Sequence, residues 1–270
     1  MADYVLITKF YNERVRLPLL IRNISAQTLR PKVFVFFNDG SNDGSGDVAE
    51  EEATRFGLEC AVVTMPPKAK GNMDTLGRVW NKAQPLLLEL LQDIPYAATT
   101  DVDTLFPACY FEDMISYLES HQDVGVVAGH VVGEPRRTFP MFTGTVFRAR
   151  IITAIKKYWE VSTESFISVK ALKMGYKLKI REEMKVKSPP THLRTWKGRF
   201  RAGRLAYYTG TSLTYVIMKG ISRRDPQYLR GYWSERSRGI WQSEDEDILR
   251  YYGSLHLRTL MAFVRRTLRL

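Results

Sequence analysis

The chain has 270 residues, enough for one large α/β domain or a domain with an appendage, and its 44% hydrophobic and 26% charged residues are ordinary for a globular protein. Two cysteines, Cys60 and Cys109, are too few for a disulfide framework and too widely spaced for a zinc knuckle. The pattern offers no run of about 18 apolar residues and no basic-then-apolar leader in its first residues, so neither a transmembrane helix nor a signal peptide is expected, and a reducing, cytoplasmic setting is the expectation.

The formal charge of +11 is unevenly placed. Residues 1–180 hold 21 Lys and Arg against 21 Asp and Glu, whereas residues 181–270 hold 19 against 8. A neutral front and a basic back predict two jobs in one chain.

Residues 4–7 form an apolar run that predicts a first strand, and a polar turn follows from Thr8 to Glu13. Leu17, Leu20, Ile21 and Ile24 recur at helical spacing, with Pro18 tolerated near the helix start. Residues 33–37 predict a second buried strand that runs into Asn38-Asp39-Gly40-Ser41-Asn42-Asp43-Gly44, which is turn chemistry throughout. A helix is expected over 48–56 with Gly57 as its stop, then a third strand at 60–63. Between residues 72 and 91, Leu76, Trp80, Ala83 and Leu87 make a helical stripe that Pro85 is expected to kink or split. Residues 96–100 read as strand four, ending on Asp101-Val102-Asp103.

This alternation predicts an α/β protein, a wound and mostly parallel sheet flanked by helices. Ligands of such sheets bind outside the carboxyl ends of the strands, so the clusters at 8–13, 38–43 and 101–103 should meet in one crevice. Beyond residue 105 the pattern loosens. A helix at 111–118, a strand at 124–128, a glycine-interrupted strand at 142–147, a helix at 163–174 closed by Gly175 and a strand at 176–180 are expected. From residue 198 onward the chain reads as helical, basic and aromatic, without repeats or low-complexity segments.

Two carboxylates at i and i+2 just past a strand, Asp101 and Asp103, can hold a divalent cation, although a solvated turn can carry the same two acids. Their context is more telling. A first strand with Thr8-Lys9-Phe10-Tyr11-Asn12-Glu13 leads to a helix that closes on Ile24-Ser25-Ala26-Gln27-Thr28. A strand then runs into Phe37-Asn38-Asp39-Gly40-Ser41-Asn42-Asp43, a helix with Gly71, Asn72 and Arg78 follows, and Asp101-Val102-Asp103 comes last. This succession resembles the family 2 glycosyltransferases, densely over residues 4–105, more thinly over 140–205, and not beyond about residue 220.

The resemblance implies a GT-A fold, Rossmann-like, with a mixed, mostly parallel sheet and a basic helical C-terminal extension. It divides the chain into a nucleotide-sugar-binding half at 1–105, an acceptor-binding and catalytic half at 106–205, and the extension at 206–270. The implied partner is a nucleotide-diphosphate sugar, a UDP-sugar favoured over a GDP-sugar, and the cofactor a divalent metal, Mn2+ or Mg2+. Asp39 would accept a hydrogen bond from the base, or simply cap its own loop as an Asx-turn. Thr8 and Glu13 would border base and ribose, and Lys70 and Arg78 would face the diphosphate unless they are merely solvated. Asp103 would bind the metal directly and Asp101 a ribose hydroxyl or a metal-bound water. His192 would complete the metal shell, and imidazole suits Mn2+ better than Mg2+; as one of four histidines it could equally lie on the surface.

In the family an acidic pair on a helix supplies the base for inverting transfer. Here Thr163-Glu164-Ser165-Phe166 stands at that place, with Ser165 where an Asp is usual. Glu164 is the candidate base and Glu160 the nearest alternative carboxylate. That departure keeps a nucleotide-sugar-binding protein with impaired catalysis in view. A nucleotidyltransferase usually carries a glycine-rich loop after its first strand, and residues 8–13 contain no glycine. A nucleic-acid partner is not expected, because the front half is neutral and no binding motif is present. In the tail, Leu257, Leu260, Met261, Val264 and Leu268 alternate with Arg258, Arg265, Arg266 and Arg269 at helical spacing. Such a helix either lies on an anionic inner membrane face or packs on its own domain. The acceptor, whether lipid-linked, a polysaccharide or a protein, leaves no signature.

Overall fold

A computed structural model describes residues 2–67, 76–135, 139–158, 163–189, 195–239 and 242–267, apart from the side chains of 76, 163–164 and 262–267. Contacts divide the chain into two compact units, Met1–Pro190 and Thr191–Leu270.

In the first unit, strands and helices alternate as β1 (Tyr4–Phe10), α1 (Leu17–Ser25), β2 (Val33–Asn38), α2 (Ser45–Arg55), β3 (Cys60–Thr64), α3 (Leu76–Asp93) and β4 (Tyr96–Thr100). The chain continues through α4 (Tyr110–Ser120), β5 (Val124–Val131), β6 (Thr145–Arg148), α5 (Ala149–Thr153), α6 (Thr163–Lys173) and β7 (Lys177–Val186). One seven-stranded sheet has the order β3-β2-β1-β4-β6-β5-β7, so strands from both sides of residue 105 share it. Neighbours among β1 to β4 are parallel, β6 is antiparallel to both β4 and β5, and β5 pairs with β7 in parallel.

The central strands are apolar almost without alternation because helices cover both faces of the sheet. All of Tyr4 to Ile7 and all of Val33 to Phe37 are buried. Tyr4, Leu6, Phe34 and Phe36 join Leu17, Leu20, Ile21, Phe111 and Met114 in one core cluster. On α3, Trp80, Ala83, Leu87 and Leu91 are all buried, and Trp80 meets Phe37 edge-on at 5.2 Å.

Three elements differ from the expectation. β1 runs on through Thr8, Lys9 and Phe10, residues whose polarity suggested a turn, because Thr8 and Phe10 are themselves buried in the sheet. α3 continues as one helix through Pro85, its apolar stripe being buried on both sides of the proline. β6 begins only at Thr145, because Gly144 takes a left-handed conformation (φ +68°) and gives its N–H to the Thr99 carbonyl.

The second unit is helical among its described residues: α7 (Trp196–Tyr208), α8 (Leu213–Ser222), α9 (Pro226–Ser237), α10 (Glu246–Gly253) and α11 (Leu255–Thr267). Thr195, Ser212, Asp225 and Asp245 cap the first four, each accepting a backbone N–H three residues on. α7 and α9 cross backbone to backbone. A Cβ on Gly203 would stand 2.0 Å from the Tyr228 carbonyl oxygen, and one on Gly231 2.0 Å from that of Phe200.

Candidate active site

The sheet order places the crevice. The chain builds β1, β2 and β3 outward on one side, then returns with β4 on the other side of β1. That reversal opens a gap beyond the carboxyl ends of β1 and β4, where open α/β sheets hold their ligands. Thr8 to Glu13 leave β1 there, and Asp101 to Asp103 leave β4.

Hydrogen bonds tie the first two polar clusters together. Asn12, with φ at 55°, gives its N–H to Ser41 Oγ (3.0 Å) and accepts the Asn42 N–H on Oδ1 (3.0 Å). The Glu13 N–H reaches Ser45 Oγ (2.8 Å) and the Arg14 N–H reaches Asp43 Oδ2 (3.3 Å). Burial works to raise the Asp43 carboxyl, but hydrogen bonds from Ser45 and Arg14 outweigh it and hold the group below the usual range. Gly40 is required at the turn: its φ is +79°, and a Cβ there would stand 2.5 Å from the Pro66 carbonyl oxygen.

Asp39 begins this loop beside β1, donating its N–H to the Phe10 carbonyl (2.9 Å). Its side chain is 1% exposed, and its Oδ2 lies 2.8 Å from the ammonium of Lys9, itself 17% exposed. Lys9 is the residue that the sequence reading passed over. The available signal was a lysine inside an otherwise apolar, sheet-buried strand, a position that calls for a counter-charge.

Thr8 is fully buried, and its hydroxyl donates to the Thr100 carbonyl (2.9 Å), locking β1 to β4 one residue before Asp101. Its side chain therefore braces the rim from below. The Glu13 carboxylate pairs with Arg16 at 3.0 Å on the surface. Arg78 is exposed on the first turn of α3.

At the end of β4 the buried Val102 anchors the turn in the core and leaves Asp101 and Asp103 half-buried at the rim. The Asp101 N–H is held by Thr143 Oγ1 (3.2 Å), and Thr143 also meets Thr104 Oγ1 at 2.6 Å. Tyr110 braces the same rim by donating to the Gly144 carbonyl (2.6 Å) and accepting the Gly129 N–H (2.7 Å). Thr143 lies 42 residues from Asp101, and no local pattern announces it. Asp39 and Asp101 end strands that flank β1, which separates them by about 10 Å, two strand spacings.

Among the described residues no three His, Cys, Asp or Glu side chains converge as a metal cage. Lys70, Glu160 and His192, and the side chain of Glu164, lie outside the described residues; the backbone of Glu164 is the second described residue of α6. The structure thus joins Asp39 with the 8–13 turn and sets Asp101 and Asp103 across β1 from them.

The sequence profile of Glycosyl transferase family 2 matches residues 5–172, more than half of the chain. The chain belongs to this family. Among curated protein sequences none matches it. Solved structures share the fold at low identity. A mannosyltransferase, PcManGT from Pyrobaculum calidifontis, solved with GDP-Man and Mn2+, is 19% identical with a TM-score of 0.59, over 76% of this chain and 64% of that one. S. aureus TarS 1-349 with UDP-GlcNAc is 14% identical with a TM-score of 0.57, over 75% and 65%. Glucosyl-3-phosphoglycerate synthase from Mycobacterium tuberculosis, with Mn2+, UDP and phosphoglyceric acid, is 10% identical with a TM-score of 0.53, over 71% and 72%. The chain therefore spans less than two thirds of the length of the first two. The architecture is that of a GT-A glycosyltransferase, a mixed, mostly parallel seven-stranded sheet flanked by helices.

Proposed function

We propose that this family 2 glycosyltransferase is a metal-dependent hexosyltransferase that moves a sugar from a nucleotide-diphosphate donor, UDP- before GDP-linked, onto a lipid-linked, polysaccharide or protein acceptor with inversion. The observation that carries this reading is the switch-point crevice, with Asp39 at one side of β1 and Asp101-Val102-Asp103 at the other. Its support from relatives is that PcManGT was solved with GDP-Man and Mn2+ and TarS with UDP-GlcNAc.

In this reading residues 1–105 bind the donor, 106–205 the acceptor, and 206–270 form the basic extension. Asp39 accepts an N–H of the base, and Lys9 supplies its counter-charge and holds it in place. Thr8 and Glu13 shape the wall beside base and ribose, and Lys70 and Arg78 face the diphosphate. The donor set fits a divalent cation: Val102 turns two half-buried carboxylates to the rim, and hard oxygen ligands suit Mn2+ or Mg2+. Asp103 would hold the ion with His192, and Asp101 a ribose hydroxyl or a metal-bound water. Lys187 pairs with Leu105, two residues past Asp103. When bound, such an ion neutralises charge on the leaving diphosphate.

Glu164 takes the proton of the acceptor hydroxyl as its oxygen attacks the anomeric carbon and the bond from that carbon to the diphosphate oxygen breaks. Glu160 is the second candidate. Ser165, in the place of the usual Asp, favours one competing reading, a nucleotide-sugar-binding protein with impaired catalysis. No described helix is long and apolar enough to cross a membrane. A cytoplasmic protein with its C-terminal helix on an anionic membrane face is the location this reading adopts.

A thermal-shift panel of nucleotide sugars with Mn2+ tests the proposal. One or two donors should raise the midpoint, and a chelator or Asp103→Ala should remove the effect. Equal stabilisation with and without metal would sink the metal assignment, and no stabilisation by any donor would sink the donor reading.

A further inference from the structure

The second unit combines two properties that seldom coexist on a surface facing only water. It carries 16 Lys and Arg against 6 Asp and Glu, and it also displays large apolar side chains. Six of these belong to two helices. On α8, Val216 and Gly220 face inward, where a Cβ on Gly220 would meet Leu229 of α9 at 2.4 Å. Its other side presents Ile217, Met218 and Ile221, exposed by 43%, 45% and 67%. On α11, Leu257, Leu260 and Met261 repeat at i, i+3 and i+4 and are exposed by 51%, 59% and 53%.

The two helices touch. The Ser212 hydroxyl at the cap of α8 lies 2.9 Å from Nδ1 of His256 in the first turn of α11. Arg258 fastens the same turn to α10, with its guanidinium 3.6 Å from the centre of the Tyr251 ring and a hydrogen bond to the Tyr251 carbonyl. The start of α11 is therefore held against its own unit while its apolar stripe faces outward. Neither helix contains an acidic residue, and exposed Arg223 and Arg224 follow directly on α8.

We propose that α8 and α11 together form a face that docks on an anionic lipid bilayer, the apolar stripes entering the headgroup boundary and the arginines meeting lipid phosphates. Charge complementarity selects this occupant: apolar stripes with cations beside them and no acids are what interfacial helices present to such membranes. The inference rests on the reading that the C-terminal helix meets a membrane, and adds to it an interior helix that no tail-based argument includes.

Co-sedimentation of the full chain with vesicles of phosphatidylcholine, alone or mixed with phosphatidylglycerol, tests it. The wild-type chain should sediment with the mixed vesicles and not the neutral ones, and salt should weaken the effect because the attraction is screened. Ile217→Ser with Ile221→Ser should lower partitioning by about tenfold or more, as should Leu257→Ser with Leu260→Ser. Ile217→Phe with Ile221→Phe, which keeps the face apolar, should retain binding. If the α8 serine pair binds like wild type while the α11 pair is lost, the α8 assignment is overturned and the tail reading stands. If the wild-type chain ignores both vesicle types, both readings fall. A dimer in solution that the α8 serine pair dissociates, without any dependence on lipid, would make the face a contact between copies and overturn the proposal.

Discussion

Replacing Asp39 with Asn keeps the size of the side chain and removes its charge, leaving the Lys9 ammonium, 17% exposed, opposite an amide. Breaking one partner of a buried pair costs about 3–5 kcal/mol, and the lower end applies because Lys9 retains some access to water. At about 2–4 °C per kcal/mol for a unit of this size, the midpoint of Met1–Pro190 should fall by roughly 6–12 °C. The double variant Lys9→Met with Asp39→Asn removes both charges and should recover more than half of that loss. Nucleotide affinity should behave differently. If the carboxylate accepts the base N–H, losing a hydrogen bond to a charged group should weaken binding by about 1.5–3 kcal/mol, tenfold or more, in the single and the double variant alike. Thermal unfolding gives the first quantity, and calorimetry with UDP and GDP, well below the midpoint, gives the second. Recovery of both stability and affinity in the double variant would refute the base-binding role and leave Asp39 as the counter-charge of Lys9 alone. An unchanged midpoint in the single variant would refute the energetic argument instead.

Gly231→Ala should destabilise the second unit by about 1–3 kcal/mol or more, because the new methyl would stand 2.0 Å from the Phe200 carbonyl and the two backbones must part; an unchanged tryptophan-fluorescence denaturation curve would contradict the observed crossing. Burial pushes the phenols of Tyr110 and Tyr158 well above their ordinary value, so the folded state holds their protons after the unfolded chain has released them. Stability should therefore be unaffected below about pH 10 and fall above it, by up to about 1.4 kcal/mol per pH unit for each tyrosine, and Tyr110→Phe should lessen the alkaline slope seen in urea titrations. Glu164→Gln should abolish transfer while donor affinity persists; turnover that survives the change with a working acceptor would move the base to Glu160.

The parts legible in the sequence are those written in local patterns. Uninterrupted apolar runs at 4–7 and 33–37 gave the buried parallel strands, and the Asn/Asp/Gly/Ser cluster after Phe37 gave the loop, because turn residues act within a few positions. The details that aim the site are long-range. Lys9 is polar and so reads as part of a turn, yet it lies in β1 because β2 pairs with it, Lys9 opposite Phe37, and Asp39 receives its charge. The Thr8 hydroxyl, beside the proposed nucleotide wall, serves a carbonyl 92 residues away, a partner no local pattern could name. Thr143 holds Asp101 from a segment 42 residues on, and only folding brings the two together. α8 was read as part of a basic, aromatic extension, since two apolar faces on one helix do not reveal which of them is buried.

The position of Glu164 gives the departure at Ser165 a physical meaning. A base in an inverting transfer must be ionised before the acceptor arrives, and the first turn of a helix favours negative charge through its free N–H groups and the helix dipole. Glu164 is the second described residue of α6, and such a field would act on it if the helix begins there. A second carboxylate directly after it would add a like charge within the same turn, and Ser165 adds none. With one carboxylate instead of two, the site keeps the group that can accept the proton and loses a neighbour that could share that work or position the acceptor. In the proposed mechanism a single carboxylate is enough to take the acceptor proton. On that proposal, Glu164→Gln distinguishes an active transferase from a silent binder: transfer lost with donor binding kept supports the single-carboxylate base, and a wild-type chain that binds donors without any transfer supports the binder.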